Sequence, residues 1–313
     1  MKLTDPVFHD EAKALAYFEA LTWPNGPVCP HCGETTKVYR LDGKSHRRGL
    51  FHCNGCNGSF TVRTGGVMES SHIPLTKWAL AFFLMASSKK GISAHQLMRT
   101  LGLGSYRTAW FMAHRIREAM TPVAGSEPPL GGDGFVVEAD ETEISPSRKT
   151  RVKGGRARSK NKRFVALVER DGRVKSKVIG DKGLQEVRDA IRANVDPAST
   201  LHTDGAPVYR FVMAAKGQHE AVDHDKAYAR DGETGRVHCN TAEGYFSIFK
   251  RGLVGTYQHM GEQHLPRYLA EFDFRMSNRA SLGVNDTMRA ELAIKGAEGK
   301  RLTYHQSGGQ AEA

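Results

Sequence analysis

Two short cysteine pairs constrain this chain more than any other feature. Cys29 and Cys32 sit in "VCPHCGE", and Cys53 and Cys56 repeat the CxxC spacing in "FHCNGCNGSF". A pair spaced this way forms a tight knuckle that presents two thiolates, and two knuckles about 20 residues apart complete a tetrahedron around a d¹⁰ ion. Gly and Asn near the second thiolate of each pair suit the turn. The alternatives are two disulfides or free thiols. The N-terminal stretch "MKLTDPVFHDEAKAL" lacks the apolar run of an export signal, so disulfides are not expected. Residues 28–66 therefore read as a zinc ribbon with one structural Zn²⁺, and "KVYRL" and "SFTVR" read as short strands beside the knuckles. His31 and His52 are candidate ligands only in principle, because four thiolates already fill the site. Cys239 has no pair and is left outside it.

Residues 1–27 carry a helical apolar pattern over 5–21, with Asp5 as cap and Pro6 in the first turn, before "TWPNGP" breaks it. Residues 72–122 read as three helices. The last two are joined by "LGLGS", the short Gly-containing turn of a helix-turn-helix. Its second helix starts at Ser105 and is expected to expose Tyr106, Arg107, His114, Arg115 and Arg117 toward a DNA groove. A plain three-helix bundle with a basic face is the alternative. The net charge of +11 and pI of about 9.5 favour a polyanionic partner. The longest apolar stretch, "WALAFFLMA", has about half the roughly 18 residues of a membrane span. It reads as buried core, and the expected location is the cytoplasm, on the nucleoid, with no membrane partner.

After a Pro/Gly-rich linker (121–134) the pattern becomes mixed α/β. Strands are expected at 135–140, 163–170 and 173–180, the last two joined at Asp171-Gly172. A helix follows at 184–195, a strand at 200–204, a helix from 206, a strand at 219–224, and helices at 241–255 and 261–279. This β-β-β-α-β-α-β-α-α order spans a domain at 132–282, ahead of a partly disordered tail at 283–313. Between its first two strands runs "SRKTRVKGGRARSKNKR", with nine Lys or Arg in 17 residues. Arg151, Lys153, Arg156, Arg158 and Lys160 in it are candidate phosphate contacts; a solvated hairpin tip is the alternative.

Three acids stand at element ends. Asp140 closes an apolar strand, Asp204 closes another, and Glu243 lies near the start of a helix. If the two strands are neighbours, their carboxylates meet at one sheet edge, and a helix crossing that edge adds the third. Clustered carboxylates repel unless cations neutralise them, and hard oxygen ligands suit Mg²⁺ or Mn²⁺. Glu141 and Glu143 flank Asp140, but alternation turns them to the opposite face. His202 shares a face with Asp204 and reads as a satisfied sheet histidine.

The blocks "VVEADETEI", "LHTDGAPVY" and "HCNTAEGYFSIFKRGLVGTYQHMGEQHLPRYLAEFDFRMSNR" make the chain resemble a bacterial insertion-sequence transposase of the DDE type with an N-terminal zinc ribbon. The resemblance runs over roughly residues 15–280. It implies a ribonuclease H-like mixed sheet with flanking helices, preceded by the zinc ribbon and the helix-turn-helix-like segment. It also implies two divalent ions on Asp140, Asp204 and Glu243, and an oligomeric complex that cuts transposon ends and joins them to target DNA. Lys250, seven residues after Glu243, belongs to the family signature. Seven residues return to the same helix face about 10 Å further on, so Lys250 is expected to grip the phosphate beside the scissile bond, with Arg251 next to it. Where the family carries Trp, this chain reads Tyr245-Phe246. A DNA-binding regulator with an inactive catalytic domain, and a nuclease that cuts without joining, are the competing functions.

Overall fold

The structure is a computed structural model that describes residues 1–144, 162–180, 183–209, 218–223, 227–233 and 235–303. Arg151, Lys153, Arg156, Arg158 and Lys160 lie outside the described residues, as does most of the helix expected from 206. The chain divides into two compact units, Met1–Ser88 with Ile92–Thr121 and Asn285–Ala313, and Lys89–Gly91 with Pro122–Val284. Among the described residues no helix is long and apolar enough to cross a membrane.

Among the described residues the first unit holds the ribbon and five α-helices. Helix α1 spans Glu11–Thr22, shorter than the 5–21 pattern suggested. Asp10 rather than Asp5 is its cap, accepting from the Ala12 and Lys13 amides, and Pro6–Phe8 form a separate 3₁₀ turn. Strands β1 (Val38–Arg40), β2 (Phe51–Cys53) and β3 (Gly58–Phe60) make the antiparallel ribbon sheet. Its small core is Phe51 stacked on Phe60, with the Trp23 ring edge-on to both. Helices α2 (Leu75–Ser87), α3 (Ala94–Leu101) and α4 (Tyr106–Met120) follow. Ser105 caps α4 through the Thr108 amide, and Gly102 ends α3 in the left-handed conformation. Helix α2 buries Trp78, Phe82 and Met85, as expected of an apolar helix too short for a membrane.

A helix not foreseen from the sequence, α8 (Asp286–Lys295), packs on α1, α2 and α4. Asn285 caps it by accepting from the Met288 amide at 3.0 Å, and Ala290, Ala293 and Ile294 face inward. The expected DNA-facing surface of α4 is corrected accordingly. Tyr106 and Arg107 in its first turn are exposed, but His114 and Arg117 are buried. His114 lies against Trp110, with ring centroids 4.1 Å apart. Arg115 is half-buried: it donates to the Glu69 carbonyl at 3.0 Å and covers the Phe111 ring. Its guanidinium is committed inside this unit.

The second unit is a five-stranded sheet of order β6-β5-β4-β7-β8. Its strands are β4 (Val136–Ile144), β5 (Lys162–Glu169), β6 (Val174–Ile179), β7 (Thr200–Thr203) and β8 (His219–Ala221). The first three pair antiparallel, and β7 and β8 add parallel to β4. This is the ribonuclease H-like arrangement. Asp171, at a φ of 51°, turns the β5–β6 hairpin. Helix α5 (Leu184–Asn194) covers one face over Val137, Ala139 and Leu201. Helices α6 (Asn240–Gly252) and α7 (Leu265–Ser277) cover the other over Phe164, Ala166 and Val168. A small hairpin, β9 (Arg230–Gly232) with β10 (Gly235–Val237), precedes α6.

Tyr245 and Phe246, where tryptophan was expected, are both buried. The Tyr245 hydroxyl lies between Ser176 and Asp273, which ties α6 to β6 and α7. At the far end of α6, a Cβ on Gly252 would sit 2.6 Å from Phe272 Cζ and 2.7 Å from the Lys90 carbonyl oxygen. The Lys90 oxygen is backbone and cannot swing aside. Gly252→Ala is therefore expected to destabilise this unit by about 1–3 kcal/mol through overpacking, read as a lower midpoint in urea.

Candidate functional site

The four cysteines converge. Their sulfur atoms all lie within 4.8 Å of one another. Cys29 and Cys56 Sγ are 3.7 Å apart, and Cys32 and Cys53 Sγ 3.6 Å. Zn–S bonds of about 2.3 Å at tetrahedral angles require sulfurs roughly 3.8 Å apart, so the set fits one zinc ion. The knuckles follow from local sequence. Gly33, at φ 75°, returns its amide to the Cys29 carbonyl at 2.9 Å, and Asn57, at φ 58°, turns the second pair. The cysteines are unbridged, Cys29 and Cys53 buried and Cys32 and Cys56 exposed.

The carboxylates occupy the second unit. Strands β4 and β7 pair in parallel with Val136 opposite Thr200, Val137 opposite Leu201 and Glu138 opposite His202. Two more steps of that register bring Asp140 level with Asp204, just past the end of β7. Asp204 Oδ1 accepts from the Ala206 amide at 3.0 Å, holding the turn. Glu243 lies in the first turn of α6, which packs over the Asp140 face of β4. Burial, then the charge of Asp204, then the charges of Glu141 and Glu243 push the Asp140 carboxyl up to about 7, against a backbone bond from Glu141 that lowers it. The three acids thus share one electrostatic neighbourhood. Among the described residues, only the four-cysteine group already has its ligand atoms at metal-binding spacing.

Lys250 and Glu243 are both exposed, seven residues apart on α6. Arg251 is also exposed and folds back onto the Ser247 carbonyl and hydroxyl, at 3.0 and 2.8 Å. Glu141 faces away from Asp140, as alternation requires, and takes a hydrogen bond from Tyr209. Burial and the Asp204 charge raise its carboxyl, against that bond.

Sequence reading did not single out Glu138. It is fully buried, two residues before Asp140 on the same face of β4. Its Oε1 accepts from Arg170 Nε at 2.8 Å and from the Thr241 hydroxyl at 3.0 Å, and lies 3.1 Å from His238 Nδ1. Its Oε2 accepts from the backbone amides of Thr241 and Ala242, at 2.8 and 3.1 Å. Arg170 completes the hub by donating to the carbonyls of Arg236 and His238 and meeting His202 Nδ1 at 3.0 Å. Burial, reinforced by the Arg170 charge, lowers His202 to about 4, so it is a neutral, satisfied sheet histidine. The signal for the hub was present: Glu138, Arg170 and His202 each carry charge or polarity within or at the end of an apolar strand. Arg170→Ala leaves a buried carboxylate without its cation. We expect it to cost about 3–5 kcal/mol, measured by chemical denaturation.

Comparison with known proteins falls on the same segments. The ISXO2-like transposase domain matches residues 129–277, and the transposase zinc-ribbon domain matches residues 9–59. The "uncharacterized protein in transposable element ISH50" of Halobacterium salinarum is 29% identical over 286 residues, covering 86% of this chain and 91% of that one. Among solved structures, a simian T-cell lymphotropic virus intasome in complex with PP2A regulatory subunit B56 gamma aligns at 13% identity with a TM-score of 0.29. That alignment spans 56% of this chain and 63% of the other, and is too loose to argue from.

Proposed function

The chain belongs to the insertion-sequence transposases that carry a zinc ribbon ahead of a DDE domain, and from that premise we propose that it binds the ends of its element and catalyses metal-dependent DNA strand cleavage and strand transfer. The observation that carries this reading is the parallel β4–β7 register, which brings Asp140 level with Asp204 at one sheet edge beneath the helix whose first turn holds Glu243. An all-carboxylate donor set of this kind fits hard divalent cations, Mg²⁺ or Mn²⁺. Asp140, Asp204 and Glu243 would hold two such ions. When bound, the pair activates an attacking hydroxyl and stabilises the leaving oxygen of a phosphodiester.

The remaining roles fall to the chain itself. Lys250, exposed on the helix that carries Glu243, grips the phosphate next to the scissile bond. Arg251 and the exposed Arg107 meet neighbouring phosphates. Arg151, Lys153, Arg156, Arg158 and Lys160 are assigned the same task on charge alone. Arg115 contributes little directly, since its guanidinium already serves Glu69 and Phe111. Several copies act together on the two ends and the target. The test is a strand-cleavage and joining assay on DNA carrying the element's terminal inverted repeats, with and without Mg²⁺. Metal-dependent nicking and joined product support the proposal. Tight end binding with no strand breakage would instead identify a regulator, and nicking without joined product a nuclease.

A further inference from the structure

At the start of helix α6 the Asn240 amide meets His238 Nδ1 at 3.3 Å, a local contact that does not reach the next two amides. Cys239 occupies the N-cap position of the helix and offers no side-chain acceptor. The first-turn amides of Thr241 and Ala242 are bonded instead by Glu138, about 100 residues earlier in the chain. The carboxylate that caps α6 thus belongs to the strand that carries Asp140, and the helix it caps carries Glu243.

We propose that Glu138 is a positioning residue that sets the spacing of Asp140 and Glu243 for divalent-metal binding, an inference that rests on the metal-dependent reading above. Physical chemistry supports that role over simple core filling. Every contact of Glu138 with α6 and Arg170 is a donor pointing at it: the Thr241 and Ala242 amides, the Thr241 hydroxyl and Arg170 Nε. A carboxylate, an acceptor at both oxygens, satisfies all four, whereas an apolar side chain satisfies none. Its negative charge also complements the positive end of the α6 dipole. The two arms of the carboxylate act in different directions. Arg170 holds Oε1 to the rim of the sheet, and the helix start is taken by the Thr241 hydroxyl on Oε1 and the Thr241 and Ala242 amides on Oε2. With both arms made, the first turn of α6 is pinned to β4 one residue pair from Asp140. Without them Glu243 moves with a helix end whose Thr241 and Ala242 amides have lost their acceptor.

The test is Mn²⁺ binding by the full chain, followed by electron paramagnetic resonance, in wild type, Asp140→Ala and Glu138→Gln. Gln keeps the shape of Glu138 but places an NH₂ group against donors. Wild type binding Mn²⁺ no better than Asp140→Ala removes the metal reading itself, whatever Glu138 does. Given Asp140-dependent binding in wild type, Glu138→Gln is expected to weaken it roughly 10- to 100-fold. Its circular dichroism should remain that of wild type. Cleavage should recover toward the wild-type rate at saturating metal, because the ligands themselves are intact. Unchanged Mn²⁺ affinity in a folded Glu138→Gln protein overturns the inference. So does weakened affinity with cleavage that excess metal fails to restore, which would give Glu138 another role. If Glu138→Gln does not fold, Thr241→Val removes only the hydroxyl arm. A several-fold weaker Mn²⁺ affinity then supports the inference, and wild-type affinity overturns it.

Discussion

Removing zinc from the four-cysteine site is expected to unfold the ribbon outright. The three ribbon strands have three residues each, and their apolar core is little more than Phe51, Phe60, Trp23 and Val38 around two of the sulfurs. A core of that size does not offset the conformational entropy of ordering some 30 residues. Metal binding must make up the difference, and for sites of this type it contributes roughly 10–16 kcal/mol. A strong chelator should therefore collapse the amide dispersion of residues 28–60 in a heteronuclear NMR spectrum. Cys53→Ser should do the same without a chelator, since Cys53 is a buried member of the set. Each folded protein should carry one equivalent of zinc. A ribbon whose resonances survive chelation unchanged would mean that packing alone holds it. The helices of the same unit have their own core around Trp78, Phe82 and Leu97, and their resonances should persist.

The ribbon was legible in the sequence because thiolate spacing is a local property. Two knuckles need only a CxxC and a residue tolerant of positive φ, and both are visible in one line of text. The order of elements was legible for a related reason, since strand periodicity and the Asp171-Gly172 turn are also local. That the first and fourth strands are neighbours was only a condition in the sequence, supplied by the family resemblance, and the parallel β4–β7 pairing meets it. What the sequence hid depends on contacts far apart in the chain. His114 and Arg117 looked like an exposed basic face because the helices that pack around α4, among them α8 from about 170 residues later, were not all recognised. The α8 signals, Asn285 as cap and an Ala290–Ala293–Ile294 stripe, are weak beside the polar residues around them. Glu138 was hidden more completely. Within "FVVEAD" it looks like one polar position on a strand, and only the fold shows that its partners are Arg170 and a helix start about 100 residues on. A buried acid in an apolar central strand is a question that sequence periodicity raises but does not answer.

Asp140→Ala is expected to abolish strand cleavage while leaving DNA binding in place. The cations proposed to sit on Asp140, Asp204 and Glu243 supply several kcal/mol of transition-state stabilisation, and each 1.36 kcal/mol is tenfold in rate. Loss of one of three carboxylate ligands should therefore lower cleavage of end-containing DNA by at least about 10³-fold. Affinity for the same DNA, measured by anisotropy without metal, should stay within about threefold. The exposed cations assigned to phosphate contact, Arg107, Lys250 and Arg251, are untouched by the change. Stability should separate the roles further. In the metal-free protein Asp140 sits half-buried against the charges of Asp204, Glu141 and Glu243, so its removal relieves repulsion and the thermal midpoint should hold or rise. Adding Mg²⁺ should raise the wild-type midpoint by mass action and leave that of Asp140→Ala where it was. A variant that loses cleavage, DNA binding and thermal stability together would point to general misfolding, and one that still cuts at the wild-type rate would remove Asp140 from the chemistry. The two outcomes differ because Asp140 lies where its charge is a cost to the empty fold, and that cost is recovered only when cations are bound.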